Sequence, residues 1–338
     1  MSRYPKINYI GNKNNLTDWI IDNLPYKKGK VVDLFCGGCS VSFALKENGY
    51  TVYSNDSLYS NYVLAKAIIE NNNHKLTKEE LEDIVIDKKI VNEIKQNIKF
   101  LENRIYFPEE VVELSELIEK SNHLNDEKKY MYLALIRRAM IRKIPYSRMN
   151  VPWNQIVKLR DEEYSYEKYK RRRAYHNLTF EQHIYENLEN YNESIFDNKK
   201  MNKAFQLDSF QMLEKLDEKV DIIYIDPPYP STMNKYGEFY GYFDKMFNKS
   251  IEYENLCSKD TFLEKFEKLI SIASSKTKSI VISLNNKTKP SVSDIAELLK
   301  KYGKVTIKEK KHQYKVTNKE NKNETIEVLI ILKIKEEH

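Results

Sequence analysis

Residues 222–229 read Ile-Ile-Tyr-Ile-Asp-Pro-Pro-Tyr, an apolar run that ends in an acid, two prolines and an aromatic ring. That order suits one chemical task, methylation of an exocyclic amino group on a nucleobase. Such a nitrogen is a poor nucleophile because its lone pair is delocalised into the ring. The Asp226 carboxylate and the backbone carbonyl of Pro227, held by the stiff Pro227-Pro228 geometry, can each accept one N–H and restore a localised lone pair. Tyr229 offers a flat face on which a base can stack. With S-adenosylmethionine as donor the sulfonium methyl is already activated, so geometry matters more than a metal or a general base. Taken alone, the tetrapeptide also describes a strand followed by a proline turn.

A second constellation lies near the N-terminus. Val31–Phe35 reads as a short apolar strand, Gly37-Gly38 as a turn, and Ser40–Lys46 as a helix with Ser40 at its N-cap. A glycine turn at that junction lets backbone N–H groups approach a ligand closely. The next strand, Thr51–Ser54, ends at Asn55-Asp56, about 20 residues on, where an acid can hold both hydroxyls of a ribose. This spacing also fits a nicotinamide dinucleotide. Against that, Phe35-Cys36-Gly37-Gly38-Cys39 is not G-x-G-x-x-G, and a pyrophosphate would leave Asp226-Pro227-Pro228-Tyr229 unexplained. No second ligand pair accompanies the Cys36/Cys39 C-x-x-C, so no metal is assigned.

The elements around these loops alternate. Strand 220–225, helix 260–274, strand 279–284, helix 291–302 and two closing strands near 304–311 and 325–334 predict a doubly wound α/β sheet with an antiparallel edge hairpin. Residues 75–200 lack strong strand signals and read as an inserted, mainly helical domain, leaving 1–74 and 201–338 as a discontinuous catalytic domain. Arg142, Lys143, Arg148, Asn150 and the run Arg171-Arg172-Arg173 interleave with Tyr, Trp and Asn in the insert, a composition suited to phosphate contact and base readout. The 171–173 run equally describes a solvated helix face. With 56 Lys+Arg against 50 Asp+Glu the chain is mildly basic, which suits a polyanionic partner. Three cysteines argue against a disulfide framework. Neither a signal pattern nor an apolar run of about 20 residues appears, so the expected location is the cytoplasm, with no membrane partner.

These motifs, in this order, resemble the Dam-like adenine-N6 DNA methyltransferases. Lys6 to Lys13 resembles the family's opening aromatic–glycine–lysine motif, implying that Tyr9, Gly11 and Lys13 border the methionine end of S-adenosylmethionine. Asp33 to Val41 resembles the F-x-G-x-G cofactor loop, implying cofactor contacts from Asp33, Phe35, Gly37, Gly38 and Ser40; its last glycine is Cys39 here, a position that must tolerate a side chain. Asn55-Asp56 resembles the ribose acid, and Asp208 lies where such enzymes place an acid near the cofactor adenine. Asp226 to Tyr229 resembles the catalytic loop, whose Asp also borders the cofactor. The resemblance implies a Rossmann-like methyltransferase fold, double-stranded DNA as substrate, an adenine flipped out of the duplex, and a role beside a restriction endonuclease or as a solitary or phage methylase. Gly237–Met246 reads as an aromatic loop able to close over the flipped base. Methylation of cytosine N4, of RNA or of a protein glutamine, and a non-catalytic nucleic-acid-binding subunit with this fold, remain the alternatives.

Overall fold

A computed structural model describes residues 3–228, 230, 236–258, 260–312 and 325–335 of the 338-residue chain. Its seven strands are β1 (Lys30–Asp33), β2 (Thr51–Asn55), β3 (Lys203–Phe205), β4 (Val220–Ile225), β5 (Thr277–Asn285), β6 (Gly303–His312) and β7 (Thr325–Ile334). They form one sheet in the order β3-β2-β1-β4-β5-β7-β6. The first five are parallel, and β7 runs antiparallel to both β5 and β6. Strands covered on both faces need near-continuous apolar sequence, which β4 and β5 supply. Their side chains join Val32, Phe262, Phe266, Ile330 and Leu332 in the core. The edge strand β6 carries Lys304, Lys308, Lys310 and Lys311, charges that discourage pairing with another chain.

Strand order reverses at β1, which pairs with β2 on one side and β4 on the other. In open parallel sheets a crevice forms outside the carboxyl ends of the strands at such a switch point. Asp33 closes β1, Asp56 follows β2 and Asp226 follows β4. The reversal therefore gathers the acids that the sequence scatters over nearly 200 positions.

The chain divides into two compact units. One, Lys13–Ser57, Lys199–Asn234 and Ile251–His338, contains the sheet; the other, Met1–Asn12, Leu58–Asn198 and Lys235–Ser250, is helical among its described residues. The helical unit thus takes in more than the expected 75–200. Its central helix, Asp126–Arg142, is buried at every residue from Met131 to Ile141. Asn125 starts it by accepting the Lys128 backbone N–H, and reciprocal capping boxes at Thr77/Glu80 and Thr179/Gln182 start two neighbours. Among the described residues no helix is long and apolar enough to cross a membrane.

Two local expectations are corrected, and one strand goes unread in the sequence. Gly237–Met246 is not a loop but part of the helix Tyr236–Met246, and it buries Phe239, Tyr240 and Phe243 in the helical unit, so those rings serve packing. Ser40 is the first residue of its helix; the N-cap is Cys39. Strand β3, three residues long and incompletely buried, has no periodic signal in the sequence.

Within the helical unit His176 and His183 are buried beside cations. Burial first, then Arg173, Arg160 and Arg142, push His176 down to about 3; burial, opposed by a hydrogen bond to the Tyr175 carbonyl, and the charges of Arg142 and Lys143 push His183 down to about 4. Below about pH 6.5 the unfolded chain takes up protons that the folded chain refuses, so stability falls as pH drops from there towards 4. Imidazole NMR titration should find two of the six histidines still neutral at pH 5. Six ordinary titrations near 6.5 would contradict this.

Candidate active site

The loop after β1 is shaped by backbone constraints. Leu34 N–H still donates to the Tyr224 carbonyl (3.0 Å), Cys36 N–H donates to the Asn55 carbonyl (2.9 Å), and Cys39 N–H donates back to the Cys36 carbonyl (2.7 Å). To start the helix Ser40–Glu47 the chain passes through left-handed conformations at Gly37 (φ 48°) and Cys39 (φ 61°). The second costs about 1–2 kcal/mol for a residue with a side chain. The Cys36 and Cys39 sulfurs lie 3.8 Å apart and buried; the hydrogen bond from Cys39 and burial push the Cys36 thiol well up. Both read as packed thiols.

Side chains then tie the loops together. Asp56 Oδ2 accepts the Gly37 N–H at 2.9 Å. Asn55 Nδ2 donates to the carbonyls of Leu34 (3.2 Å) and Leu207 (3.1 Å), while its Oδ1 accepts the Leu207 N–H (3.2 Å). Ser54 Oγ donates to Ser42 Oγ (2.8 Å), which donates to Asp33 Oδ2 (2.6 Å). Sequence reasoning alone misses Ser42, Ser54 and the stapling role of Asn55; the place of Asn55 beside Asp56 is the one local signal for them.

Asp33 is 1% exposed and its Oδ1 has no hydrogen-bond partner. Burial, reinforced by the charges of Asp226 and Asp56 and opposed by Ser42, pushes its carboxyl up to about 7. That oxygen is sealed from solvent, so Asp33 acts on its surroundings through its charge and not by direct contact.

Asp226 is held differently. Lys13 Nζ donates to its Oδ1 at 3.1 Å and lies 2.9 Å from Oδ2. Pro227 is buried and Pro228 half-buried behind it, while Tyr229 lies outside the described residues. Gly38, in the loop after β1, and Ser40, at the start of the following helix, are buried; Ser40 Oγ accepts the Lys13 N–H (3.2 Å). Phe35 is half-buried against the sheet core. Asp208 is the N-cap of the helix Ser209–Glu214: Oδ1 accepts the Phe210 N–H (2.8 Å) and Oδ2 the Glu254 N–H (2.9 Å). Both of its oxygens are thereby engaged in shaping the fold.

Tyr9 and Gly11 belong to the helical unit. Tyr9 stacks on Tyr236 (5.6 Å) and Tyr240 (5.1 Å), and the Ile10 N–H donates to the Tyr240 hydroxyl (3.0 Å). Gly11 has φ 87°, and a Cβ there would meet the Tyr236 hydroxyl at 3.0 Å.

The basic residues of the helical unit separate into two groups. Lys143 is buried; its ammonium pairs with Glu110 (2.8 Å) and donates to the Leu178 carbonyl, beside the Arg160–Glu110 pair. Its expected nucleic-acid contact is therefore corrected: a buried, paired ammonium has no route to a phosphate. Arg142, Arg148, Arg171, Arg172 and Arg173 form no ion pair among the described residues and lie against aromatic rings instead. Arg173 sits over both Tyr146 (5.9 Å) and Tyr169 (5.2 Å), bringing the segment around Arg148 and the 171–173 run together. Asn150 is exposed and donates to Glu238 (3.4 Å). Tyr146 and Ser147 are both left-handed, at φ 59° and 56°, and Ser147 Oγ accepts from Asn8 Nδ2 (2.6 Å).

Comparison with known proteins finds relatives over most of the chain. Residues 9–316 match the profile of the D12 class N6 adenine-specific DNA methyltransferases. The type II methyltransferase M2.HphI of Haemophilus parahaemolyticus is 41% identical over 335 residues, 98% of each chain. The modification methylase StsI of Streptococcus sanguinis is 28% identical, covering 90% of this chain and 48% of that one, and the type II methyltransferase M.CviAII of Paramecium bursaria Chlorella virus 1 is 25% identical over 91% and 92%. A profile match over residues 9–316 and 41% identity over 98% of each chain lead to one assignment: the chain belongs to the D12 class N6 adenine-specific DNA methyltransferase family.

Proposed function

We propose that this adenine-N6 DNA methyltransferase takes its methyl group from S-adenosylmethionine and serves as the modification enzyme of a type II restriction–modification system, with a restriction endonuclease of the same site as its counterpart. The observation that carries the reading is the convergence of Asp33, Asp56 and Asp226 on the carboxyl ends of β1, β2 and β4. The modification role draws on similarity to M2.HphI and StsI.

The residues suit the cofactor. Asp56 offers a carboxylate to ribose hydroxyls, and the Gly37-Gly38 turn brings backbone N–H groups close. Asp33 adds a buried negative charge that favours a cationic group nearby. Bound S-adenosylmethionine supplies a sulfonium methyl that needs no further activation. Asp226 Oδ and the Pro227 carbonyl then accept the two N–H bonds of adenine N6 and concentrate its lone pair for attack. Inside a duplex N6 cannot reach a pocket, so the adenine must leave the stack, with Tyr229 as the expected stacking face. The helical unit acts as the target-recognition domain, and Arg142, Arg148, Arg171, Arg172 and Arg173, unpaired among the described residues, contact the DNA together with Asn150. Rings beneath the guanidinium groups hold them without neutralising them, which suits a phosphate surface.

Three outcomes follow. Asp226→Ala should lower methyl transfer by at least about 10³-fold, the scale of losing a preorganised hydrogen-bonding group, while cofactor still binds; near-normal turnover would remove Asp226 from the chemistry. Asp33→Asn should raise the melting temperature at pH 8, because a carboxyl held up to about 7 is ionised at a cost there, and the margin should shrink as pH falls towards 4. Replacing Arg171, Arg172 and Arg173 with Gln should reduce the slope of log DNA affinity against log salt by about 0.9 for each phosphate that is no longer neutralised. An unchanged slope would make that run a solvated face.

A further inference from the structure

The unexplained feature of the sheet unit is where its lysine goes. Asp33 is 1% exposed, lacks a partner for Oδ1 and carries the charges of two neighbouring acids. A cation serving only to neutralise the cluster would gain most by sitting there, where the dielectric is lowest. Lys13 instead bridges both oxygens of Asp226, whose side chain is 21% exposed. The pairing is directional.

Its backbone is fixed for that purpose. The Lys13 N–H donates to Ser40 Oγ (3.2 Å) and its carbonyl accepts the Leu16 N–H (2.7 Å), opening the turn Asn14–Leu16. The side chain is 10% exposed, so few alternative rotamers remain open to it. A carboxylate bound only by water rotates freely about its Cβ–Cγ bond. One bridged by an ammonium that is itself anchored does not.

We propose that Lys13 is a positioning residue for methyl transfer: it fixes the plane of the Asp226 carboxylate and keeps one lone pair on that group directed at the target amine. This rests on the reading of Asp226 as the amine acceptor. It differs from the role implied by family resemblance, in which Lys13 borders the methionine end of the cofactor. An ionised carboxylate has about four lone-pair sites, so an ammonium shared between the two oxygens leaves each an acceptor site for the base. The amine can therefore dock without expelling the lysine. Because Lys13 acts on the base through Asp226, losing it should slow the chemical step and spare cofactor binding.

The test measures cofactor affinity by calorimetry and the single-turnover rate of methyl transfer at saturating cofactor and DNA, for Lys13→Gln, Lys13→Arg and Asp226→Asn. The expected pattern is an affinity within about twofold of the parent in both Lys13 variants, a rate down about 10²-fold in Lys13→Gln, the scale of a misplaced reacting group, and recovery of most of that rate in Lys13→Arg. Adding Lys13→Gln to Asp226→Asn should cost little more, because the lysine acts through the acid. A tenfold loss of cofactor affinity in Lys13→Gln would assign the lysine to the cofactor and overturn the inference. So would a parent-like rate, or failure of arginine to restore it. If Asp226→Asn itself turns over normally, the reading of the acceptor loop fails first. An inactive Asp226→Asn beside a normal Lys13→Gln removes the lysine's role alone.

Discussion

Much of the sheet unit follows from bringing carboxylates together out of water. Asp33, Asp56 and Asp226 lie at the carboxyl ends of three adjacent parallel strands, and like charges in a low-dielectric crevice raise one another's free energy. The fold tolerates this because each acid is treated differently. Asp56 receives a backbone N–H from the glycine loop, Asp226 receives the Lys13 ammonium, and Asp33 receives a serine hydroxyl and is held up to about 7. A cationic ligand such as the proposed sulfonium cofactor would relieve that repulsion.

Everything nearby serves to hold those groups still. Asn55 staples the ends of β1 and β2 to the segment before Asp208, Ser54 and Ser42 form a hydroxyl chain to Asp33, and Asp208 spends both oxygens on backbone N–H groups. The left-handed Cys39 is the local cost of turning directly from strand to helix. The helical unit works on another principle. Its buried lattice of Glu110, Lys143 and Arg160 consumes charge internally, whereas the arginines against Tyr146, Tyr166, Tyr169 and Tyr175 keep theirs unpaired among the described residues.

The parts legible in the sequence are those with short-range signatures. The β1–glycine–helix unit, the acid after β2 and the apolar β4 leading into Asp226 all appear as local patterns, and so the doubly wound sheet with its antiparallel edge can be read. Even the strain at Cys39 is implied by a side chain standing where a glycine is expected. What stays hidden depends on distant partners. Nothing near Lys143 reveals that Glu110, 33 residues earlier, captures its ammonium. Glycines at 237 and 241 suggest a loop, but burial of Phe239, Tyr240 and Phe243 favours a helix there. Composition likewise does not tell an arginine stacked on tyrosine from one in a solvated face.

The most direct test is transfer of a labelled methyl group from S-adenosylmethionine to unmethylated duplex DNA, followed by nucleoside analysis. Label is expected in N6-methyladenine alone, at a single sequence context. Label in N4-methylcytosine, or none in DNA while cofactor binds normally, would contradict the assignment.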